Sequence, residues 1–143
     1  MAQLNNKKIK HYLEMAKAAS KDSDFPRHKL GAVLIYKGSL LACGCNSRRT
    51  SPIQKMYNRE RDYDVNISCG LTNSIHAEIA CLSKVKYLDI QFDKATLFVF
   101  RETKDGHKAL ARPCEACSAM IRDLGIKNVV YTTSDGYCHE VID

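Results

Sequence analysis

Residues 96–100, with the sequence TLFVF, limit the fold of this chain more than any other stretch. The run is almost continuously apolar, which is typical of a β-strand that is buried on both faces. Helical patterns lie before and after it along the chain, over residues 75–84 and 114–124. Strands that alternate with helices favour a layered α/β domain.

Other segments complete this pattern. The helix at residues 75–84 is predicted to begin after Asn73 or Ser74, since both are good N-cap residues. The last predicted strand, at residues 137–142, could lie antiparallel to the strand before it. The remaining predicted elements are a helix over residues 7–21, a β-hairpin of residues 32–36 and 39–45, a short helix near residues 54–61, and a strand over residues 128–133.

The chain has 143 residues, close to the commonest size of one domain, so we expect residues 1–143 to form a single domain. No run of about 18 apolar residues exists, so we expect no membrane span. The N-terminal residues have no apolar signal core, and we expect a cytoplasmic protein. The formal net charge of +6 favours anionic partners such as nucleotides or nucleic acid, although it also serves plain solubility.

The chain has seven cysteines, an odd number, and no export signal, which favours reduced thiols and metal binding over a disulfide scaffold. Cys43, Cys45 and Cys69 could form a second metal site. We favour the interpretation that they are small buried residues, because free cysteine packs as a hydrophobic residue. Cys81 falls on a predicted helix and is expected in the core, whereas Cys138 is uninformative.

Two short motifs carry most of the chemical information: residues 76–78, HAE, and residues 113–117, PCEAC. Zinc prefers cysteine sulfur and histidine nitrogen in a tetrahedral arrangement. At a helix start, Cys114 and Cys117 lie on one face with their Cβ atoms about 5–6 Å apart. His76 could supply a third ligand, which would leave the fourth position open, as in catalytic zinc sites.

Glu78 lies two residues from His76 and therefore faces elsewhere on the helix, so it need not bind the same ion. A carboxylate beside a zinc-bound water is well placed as a general base. Zinc lowers the pKa of such a water from about 15.7 towards roughly 7. Two thiolates should weaken this effect, and the positive end of a helix should offset part of their charge.

Each part of this constellation also has a simpler interpretation. A single C-x-x-C could be a redox pair or half of a structural zinc site. His76 alone could be a helix cap or a buried histidine with satisfied hydrogen bonds, and Glu78 alone could be a solvated helix residue. The combination is more specific than its parts, because each motif opens a predicted helix and an apolar strand lies between them.

With the signature H-x-E followed by P-C-x-x-C, the chain resembles the zinc-dependent cytidine and deoxycytidylate deaminase superfamily. Residues 29–35 and 44–46 resemble the first hairpin of that family, and residues 112–131 resemble its second metal helix and the next strand. The resemblance covers roughly residues 7–133. It implies a three-layer α/β/α fold with a central, mixed, five-stranded sheet and the two metal helices on one face.

The resemblance also implies the site residues and the reaction. His76, Cys114 and Cys117 would bind Zn²⁺, and Glu78 would carry a proton from the zinc-bound water to N3 of a cytosine ring. Hydroxide would attack C4, and the amino group would leave as ammonia, which gives the uracil product. The substrate contacts implied by the family are the side chain of Asn46 and the backbone amides near Ala77 and Cys114.

The two motifs do not decide the substrate, because members of this superfamily act on nucleosides, nucleotides or nucleic acids. Residues 20–22 and 29–32 resemble the opening of deoxycytidylate deaminases, which favours deoxycytidylate among cytosine nucleosides and nucleotides. The alternative is a nucleic-acid-editing deaminase that acts on tRNA or single-stranded DNA. The net charge supports this alternative, whereas the small number of residues after Tyr131 counts against it. A catalytically silent zinc-binding module is a further alternative. The family also implies a homo-oligomer.

Residues 46–74 form a long polar segment without a steady period, and such segments are often functional. Its basic residues could contact a phosphate group. The segment could equally be a solvated loop, since acidic residues are interleaved with the basic ones. Tyr57 and Tyr63 could stack on a base. The basic residues of the segment are Arg48, Arg49, Lys55, Arg59 and Arg61.

Overall fold

A computed structural model describes residues 5–25, 28–58 and 74–142 of the chain. Each predicted element is present, although the end of the predicted helix at residues 54–61 lies outside the described residues. The elements are α1 (Asn6–Ser20), β1 (Lys29–Tyr36), β2 (Ser39–Cys45), α2 (Pro52–Tyr57), α3 (Ala77–Ser83), a 3₁₀ turn (Phe92–Lys94), β3 (Ala95–Glu102), α4 (Glu115–Leu124), β4 (Asn128–Thr132) and β5 (Tyr137–Val141).

The strands form one mixed five-stranded sheet in the order β2-β1-β3-β4-β5. Strands β3 and β4 are parallel, and every other neighbouring pair is antiparallel. The apolar run at residues 96–100 lies in β3, the middle strand, and the first six residues of that strand are buried. The prediction of a strand buried on both faces is therefore confirmed, and so is the mixed sheet.

Helices cover both faces of the sheet. Ile9 and Leu13 of α1 pack against Val33, Phe98 and other residues on one face. Apolar residues of α3 and α4 pack together on the other face, in a cluster with strand residues such as Leu34 and Leu97. This arrangement confirms the three-layer α/β/α fold, with the two helices that carry the HAE and PCEAC motifs on the same face.

Two glycines allow helices to approach the sheet closely. A Cβ atom at Gly44 of β2 would lie 2.5 Å from the backbone nitrogen of Cys81 in α3. A Cβ atom at Gly31 of β1 would collide with the backbone of α1 at Ala16 and Ser20. Residues with side chains would push the helices outward, so Gly44 sets how closely α3 lies on the sheet and Gly31 does the same for α1.

The last strand forms a hairpin with β4. Thr132 of β4 pairs with Tyr137 and Asn128 pairs with Val141, so β5 is antiparallel to β4. A turn around residues 133–136, closed by a hydrogen bond of 2.9 Å from the Thr133 N–H to the Gly136 carbonyl, connects the two strands. The direction left open by the sequence is thus antiparallel. Within the described ranges, no helix has the length and apolar character needed to cross a bilayer.

Candidate metal centre and active site

The site lies where α3 and α4 begin. His76 is the N-cap residue of α3 and Cys114 is the N-cap residue of α4, and neither side chain makes a capping hydrogen bond. The prediction that α3 begins just after Ser74 or Asn73 is wrong for the described part. Ser74 pairs with Thr50 in an isolated β-bridge, so tertiary pairing overrides its N-cap preference, and Asn73 lies outside the described residues.

Three side chains converge at these helix starts. The Nδ1 atom of His76 lies 3.5 Å from the Sγ atom of Cys114 and 3.4 Å from the Sγ atom of Cys117. The three ligand atoms all lie within 4.8 Å of one another. Tetrahedral nitrogen and sulfur ligands of zinc are about 3.3–3.8 Å apart, given bonds of about 2.0–2.3 Å, so the donor set and its spacing fit this ion.

The charge state of Cys114 also fits a metal site. Hydrogen bonds with Cys117 and His76 hold the pKa of Cys114 at about 3, far below its usual value of 9.0, although burial acts in the opposite direction. The N-terminus of α4 adds a favourable field for a negative sulfur atom. Cys114 is thus a thiolate at neutral pH, which is the form that binds zinc.

Glu78 lies on the wall of the same cavity as His76 and Cys114 but is not part of the group of three ligand atoms. The described group of ligand atoms consists of His76, Cys114 and Cys117. The side chain of Glu78 is only 3% exposed, and burial raises the pKa of its carboxyl group. Its Oε1 atom is buried and has no hydrogen-bond partner among the described residues. A buried carboxyl oxygen without a partner calls for a ligand or a water molecule at this position.

A cavity of about 320 Å³ opens beside this group, and His76, Ala77, Glu78 and Cys114 form part of its wall. This volume lies at the lower end of the range of small-molecule sites, about 300–1,000 Å³. The rest of the wall consists of Phe25, Leu30, Asn46, Ser74 and Arg112. A wall that combines apolar residues with polar and ionisable ones suits a small ligand with a flat ring and polar edges.

Asn46, predicted to contact the substrate, lies on the wall of this cavity. Its side chain also fixes the start of β1, because its Oδ1 atom accepts a hydrogen bond of 2.9 Å from the Leu30 N–H. Its Nδ2 atom donates a hydrogen bond of 2.9 Å to the carbonyl oxygen of His28. The substrate contacts of Asn46 and Ala77 stay predictions.

Gln54 of α2 is a part of the site that the sequence did not indicate. Its side chain is fully buried, and its Oε1 atom accepts a hydrogen bond of 2.9 Å from the backbone N–H of His76. Its Nε2 atom donates a bond of 2.8 Å to the Oδ1 atom of Asn58. The short helix α2 therefore holds the backbone of a metal-ligand candidate in place.

Phe25 and Arg112 also line the cavity without having been singled out as site residues. For Arg112 a signal was available, because it directly precedes the PCEAC motif. For Phe25 no local signal exists, since it lies between a polar break and a proline. Its contribution to the wall depends on how residues far apart in the sequence come together.

The described basic residues of the long polar segment lie away from the wall of this cavity. Arg49 lines a different cavity, at the edge of β2 beside Cys43 and Cys45. Tyr57 donates a hydrogen bond of 2.8 Å to the Oδ2 atom of Asp123 on α4, so it ties α2 to α4. The predictions for Arg59, Arg61 and Tyr63 lie outside the described residues.

The cysteines away from the site differ in burial. Cys81 is fully buried in the core, as predicted, and its Sγ atom lies 3.5 Å from the carbonyl oxygen of Ala42. Cys43 is exposed and Cys45 is half-buried, so the interpretation of Cys43 as a buried residue is wrong. Both lie on β2, which is an edge strand of the sheet, and the sequence alone does not reveal that position. Cys69 lies outside the described residues.

Comparison with known proteins agrees with this site. Residues 6–133 match a family model described as the cytidine and deoxycytidylate deaminase zinc-binding region. The chain is similar to the apo crystal structure of dCMP deaminase from the cyanophage S-TIM5, with 26% identity, 91% of this chain and 86% of that chain covered, and a TM-score of 0.62.

A likeness in fold extends to cytidine deaminases. The structure from Burkholderia pseudomallei has 19% identity, with 97% of this chain and 94% of that chain covered and a TM-score of 0.63. The structure from Mycobacterium leprae has 18% identity, with 95% and 94% covered and a TM-score of 0.55. No curated protein sequence gives a significant match. Because the family model spans nearly the whole chain and both motifs, the chain belongs to the cytidine and deoxycytidylate deaminase family, whose members are zinc-dependent deaminases.

Proposed function

We propose that this chain is a zinc-dependent hydrolase that deaminates the cytosine ring of a nucleoside or nucleotide, with deoxycytidylate as the favoured substrate. The convergence of His76, Cys114 and Cys117 next to the buried carboxyl group of Glu78, all at one cavity, carries this proposal. A similar fold, dCMP deaminase from cyanophage S-TIM5, has been solved with dCMP and dUMP, at 24% identity, 92% and 85% coverage and a TM-score of 0.63.

The metal would be held by the Nδ1 atom of His76 and the Sγ atoms of Cys114 and Cys117. When bound, zinc supplies a water molecule whose pKa is lowered to about 7 at this position. With three protein ligands, a tetrahedral zinc ion would have its fourth position left for that water. The N-terminus of α4 would stabilise the thiolate charge of the two cysteines.

Glu78 would move the proton. Its carboxylate accepts a proton from the attacking water and passes it to N3 of the cytosine ring. The water oxygen forms a bond to C4, and Glu78 then moves the second proton of that oxygen to the amino nitrogen. The bond from C4 to this nitrogen breaks, the C4 carbonyl forms, and the amino group leaves as ammonia. One water molecule is consumed, and the uracil compound and ammonia are the products. Burial raises the pKa of Glu78, which makes its carboxyl group a better proton acceptor than an exposed one, as a group that takes up and then releases a proton requires.

The other residues that line the cavity would bind the cytosine ring. Phe25 and Leu30 offer apolar contact to a flat pyrimidine, and the backbone of Ala77 and the side chain of Asn46 offer polar contact at its edges. Since the cavity is small, a free nucleoside or nucleotide is the favoured substrate class. An unpaired base of a nucleic acid is the alternative that the test should include.

Ammonia release from purified, zinc-loaded protein tests this proposal. We expect release from deoxycytidylate or a related cytosine compound, and none from adenosine or guanine. The variant Glu78→Gln should keep its zinc and lose activity by about 100-fold or more. The variant Glu115→Gln removes an exposed carboxylate from the same motif region and should stay within a few-fold of the wild type.

Two results would contradict the proposal. Zinc-loaded wild type that releases no ammonia from any cytosine compound would favour a silent zinc-binding module. Release only from RNA or single-stranded DNA, with affinity that falls steeply as salt increases, would favour the nucleic-acid-editing alternative.

We also propose a homo-oligomer, supported by the resemblance to the family. Light scattering coupled to size-exclusion chromatography should give a mass of at least twice the 16.1 kDa of one chain. A monomer at micromolar concentration would contradict this.

A further inference from the structure

Arg112 lies at the edge of the proposed active site. It is two residues before Cys114, and it lines the same cavity as His76 and Glu78. Its side chain is 62% exposed. A residue that contributes to the wall of a cavity and is also exposed stands where the cavity opens to solvent. Its backbone is fixed relative to the metal ligands, because only Pro113 separates it from Cys114.

The guanidinium group is held in place by the last two strands. The Nε atom of Arg112 lies 3.1 Å from the Oε1 atom of Glu140 on β5, and its second nitrogen, Nη2, lies 3.4 Å from Oε2. The hydroxyl group of Tyr131 on β4 donates a bond of 3.1 Å to the same Oε1 atom. Tyr131 is buried, so the carboxylate of Glu140 has a rigid support.

This arrangement leaves part of the guanidinium group available. A guanidinium group has five N–H donors. Two of them face Glu140, and the described residues offer no other acceptor to Arg112. The hydrogen bond with Arg112 also keeps the pKa of Glu140 below its usual range. The carboxyl group of Glu140 is therefore ionised at neutral pH and continues to bind the guanidinium group. The remaining donors match the spacing of phosphate oxygens.

Other described cations are placed differently. Arg49 lines the separate cavity at the edge of β2. Arg101 donates to the carbonyl oxygen of Leu110 and contacts the ring of His28, and neither it nor Arg49 belongs to the wall of the active-site cavity. Within the described ranges, Arg112 is therefore the cationic side chain on that wall. An anionic group on a ligand in this cavity would meet Arg112 at the opening.

We propose that Arg112 is a specificity-determining residue that binds the phosphate group of a nucleoside monophosphate substrate, and that Glu140 and Tyr131 position it. This inference rests on the proposed function, because it concerns the substrate of the same site. The cytosine ring enters towards Glu78, and the phosphate group stays at the opening of the cavity.

The test compares deoxycytidylate with deoxycytidine, which differ only in the phosphate group. In the wild type, kcat/KM should be higher for deoxycytidylate. In Arg112→Gln, the ratio of the two kcat/KM values should fall by about 10- to 100-fold, mainly through KM, because a charge-assisted hydrogen bond to phosphate is lost. Arg112→Lys keeps the positive charge but lacks the paired N–H donors of a guanidinium group, so it should give an intermediate ratio.

Two further variants separate a phosphate contact from a structural ion pair. Glu140→Gln should lower the ratio less than Arg112→Gln does, since it loosens the guanidinium group without removing it. Arg122→Gln removes an exposed charge near the far end of α4 and should leave the ratio unchanged. Calorimetric binding of deoxyuridylate, the product, should weaken in Arg112→Gln by a similar factor and does not depend on turnover.

The outcomes are distinguishable. If the wild type deaminates both compounds and Arg112→Gln leaves their ratio and the binding of deoxyuridylate unchanged, this inference is overturned while the proposed function stands. If the wild type deaminates neither compound, the proposed function itself fails. Should Arg112→Gln not fold, the ratio measured for Arg112→Lys decides in the same way.

Discussion

At the scale of single residues, the position of His76 depends on a side chain 22 residues earlier in the chain. The side chain of Gln54 is fully buried and accepts a hydrogen bond from the backbone N–H of His76. Residues that hold metal ligands in place commonly affect metal affinity by about 10- to 100-fold. A local sequence pattern cannot reveal such a residue, because the contact exists only after α2 and α3 have come together.

We expect Gln54→Ala to weaken zinc binding by about 10- to 100-fold, because His76 loses the acceptor that fixes its backbone. Competition with a chromophoric zinc chelator measures the affinity. Lys55→Ala, an exposed neighbour on the same helix, is the matched control and should bind zinc like the wild type. Equal affinities for the wild type and Gln54→Ala, with the fold intact, would show that Gln54 does not position the ligand.

The two motifs show what residues alone could predict at this scale. The pairing of His76 with Cys114 and Cys117 was predictable, because their donor atoms suit one ion and each motif opens a helix. The burial of Glu78 and the contribution of Arg112 to the cavity were not. Both depend on strands and loops distant in sequence, and exposed or buried environments follow from tertiary packing rather than from residue type.

At the scale of elements, the sequence predicted most helices and strands through apolar periodicity. The middle strand β3 was the clearest, since a continuous apolar run leaves few alternatives. The start of α3 was predicted incorrectly, because Ser74 is a good N-cap residue by propensity, yet pairing with Thr50 keeps it extended. The direction of β5 stayed open, since strand polarity depends on the length and turn of the connection.

Gly44 links two elements, because it allows α3 to lie directly on β2. We expect Gly44→Ala to lower the free energy of unfolding by about 1–3 kcal/mol, since the added Cβ would overlap the backbone of α3 at Cys81. Denaturant titration followed by circular dichroism measures this change. Gly136→Ala is the matched control, because a Cβ atom there meets nothing within 4 Å. A Gly44→Ala variant as stable as Gly136→Ala would contradict the close approach.

At the scale of the whole molecule, the three metal-ligand candidates connect α3 to α4 on one face of the sheet. An ion bound by both helices stabilises the folded state, because the unfolded chain does not present the three ligands together. The single-domain organisation stays a prediction, and it implies one cooperative unfolding transition for the metal-loaded protein.

We expect removal of zinc to lower the Tm by about 5–10 °C, relative to protein with free zinc at about 100 times its Kd. Differential scanning calorimetry of the chelated and reloaded protein measures the shift. Magnesium at the same concentration should not restore the Tm, since sulfur and nitrogen donors do not suit it. A Tm that does not respond to zinc, or a Cys117→Ser variant that responds like the wild type, would refute the assignment.

The arrangement of donors around the metal is the central claim, and X-ray absorption spectroscopy at the zinc edge of the loaded protein tests it most directly. The account predicts two sulfur neighbours at about 2.3 Å, one nitrogen neighbour at about 2.0 Å, and one light atom from an exchangeable water. A coordination shell filled by a fourth protein side chain, or one made of oxygen atoms without sulfur, would contradict it.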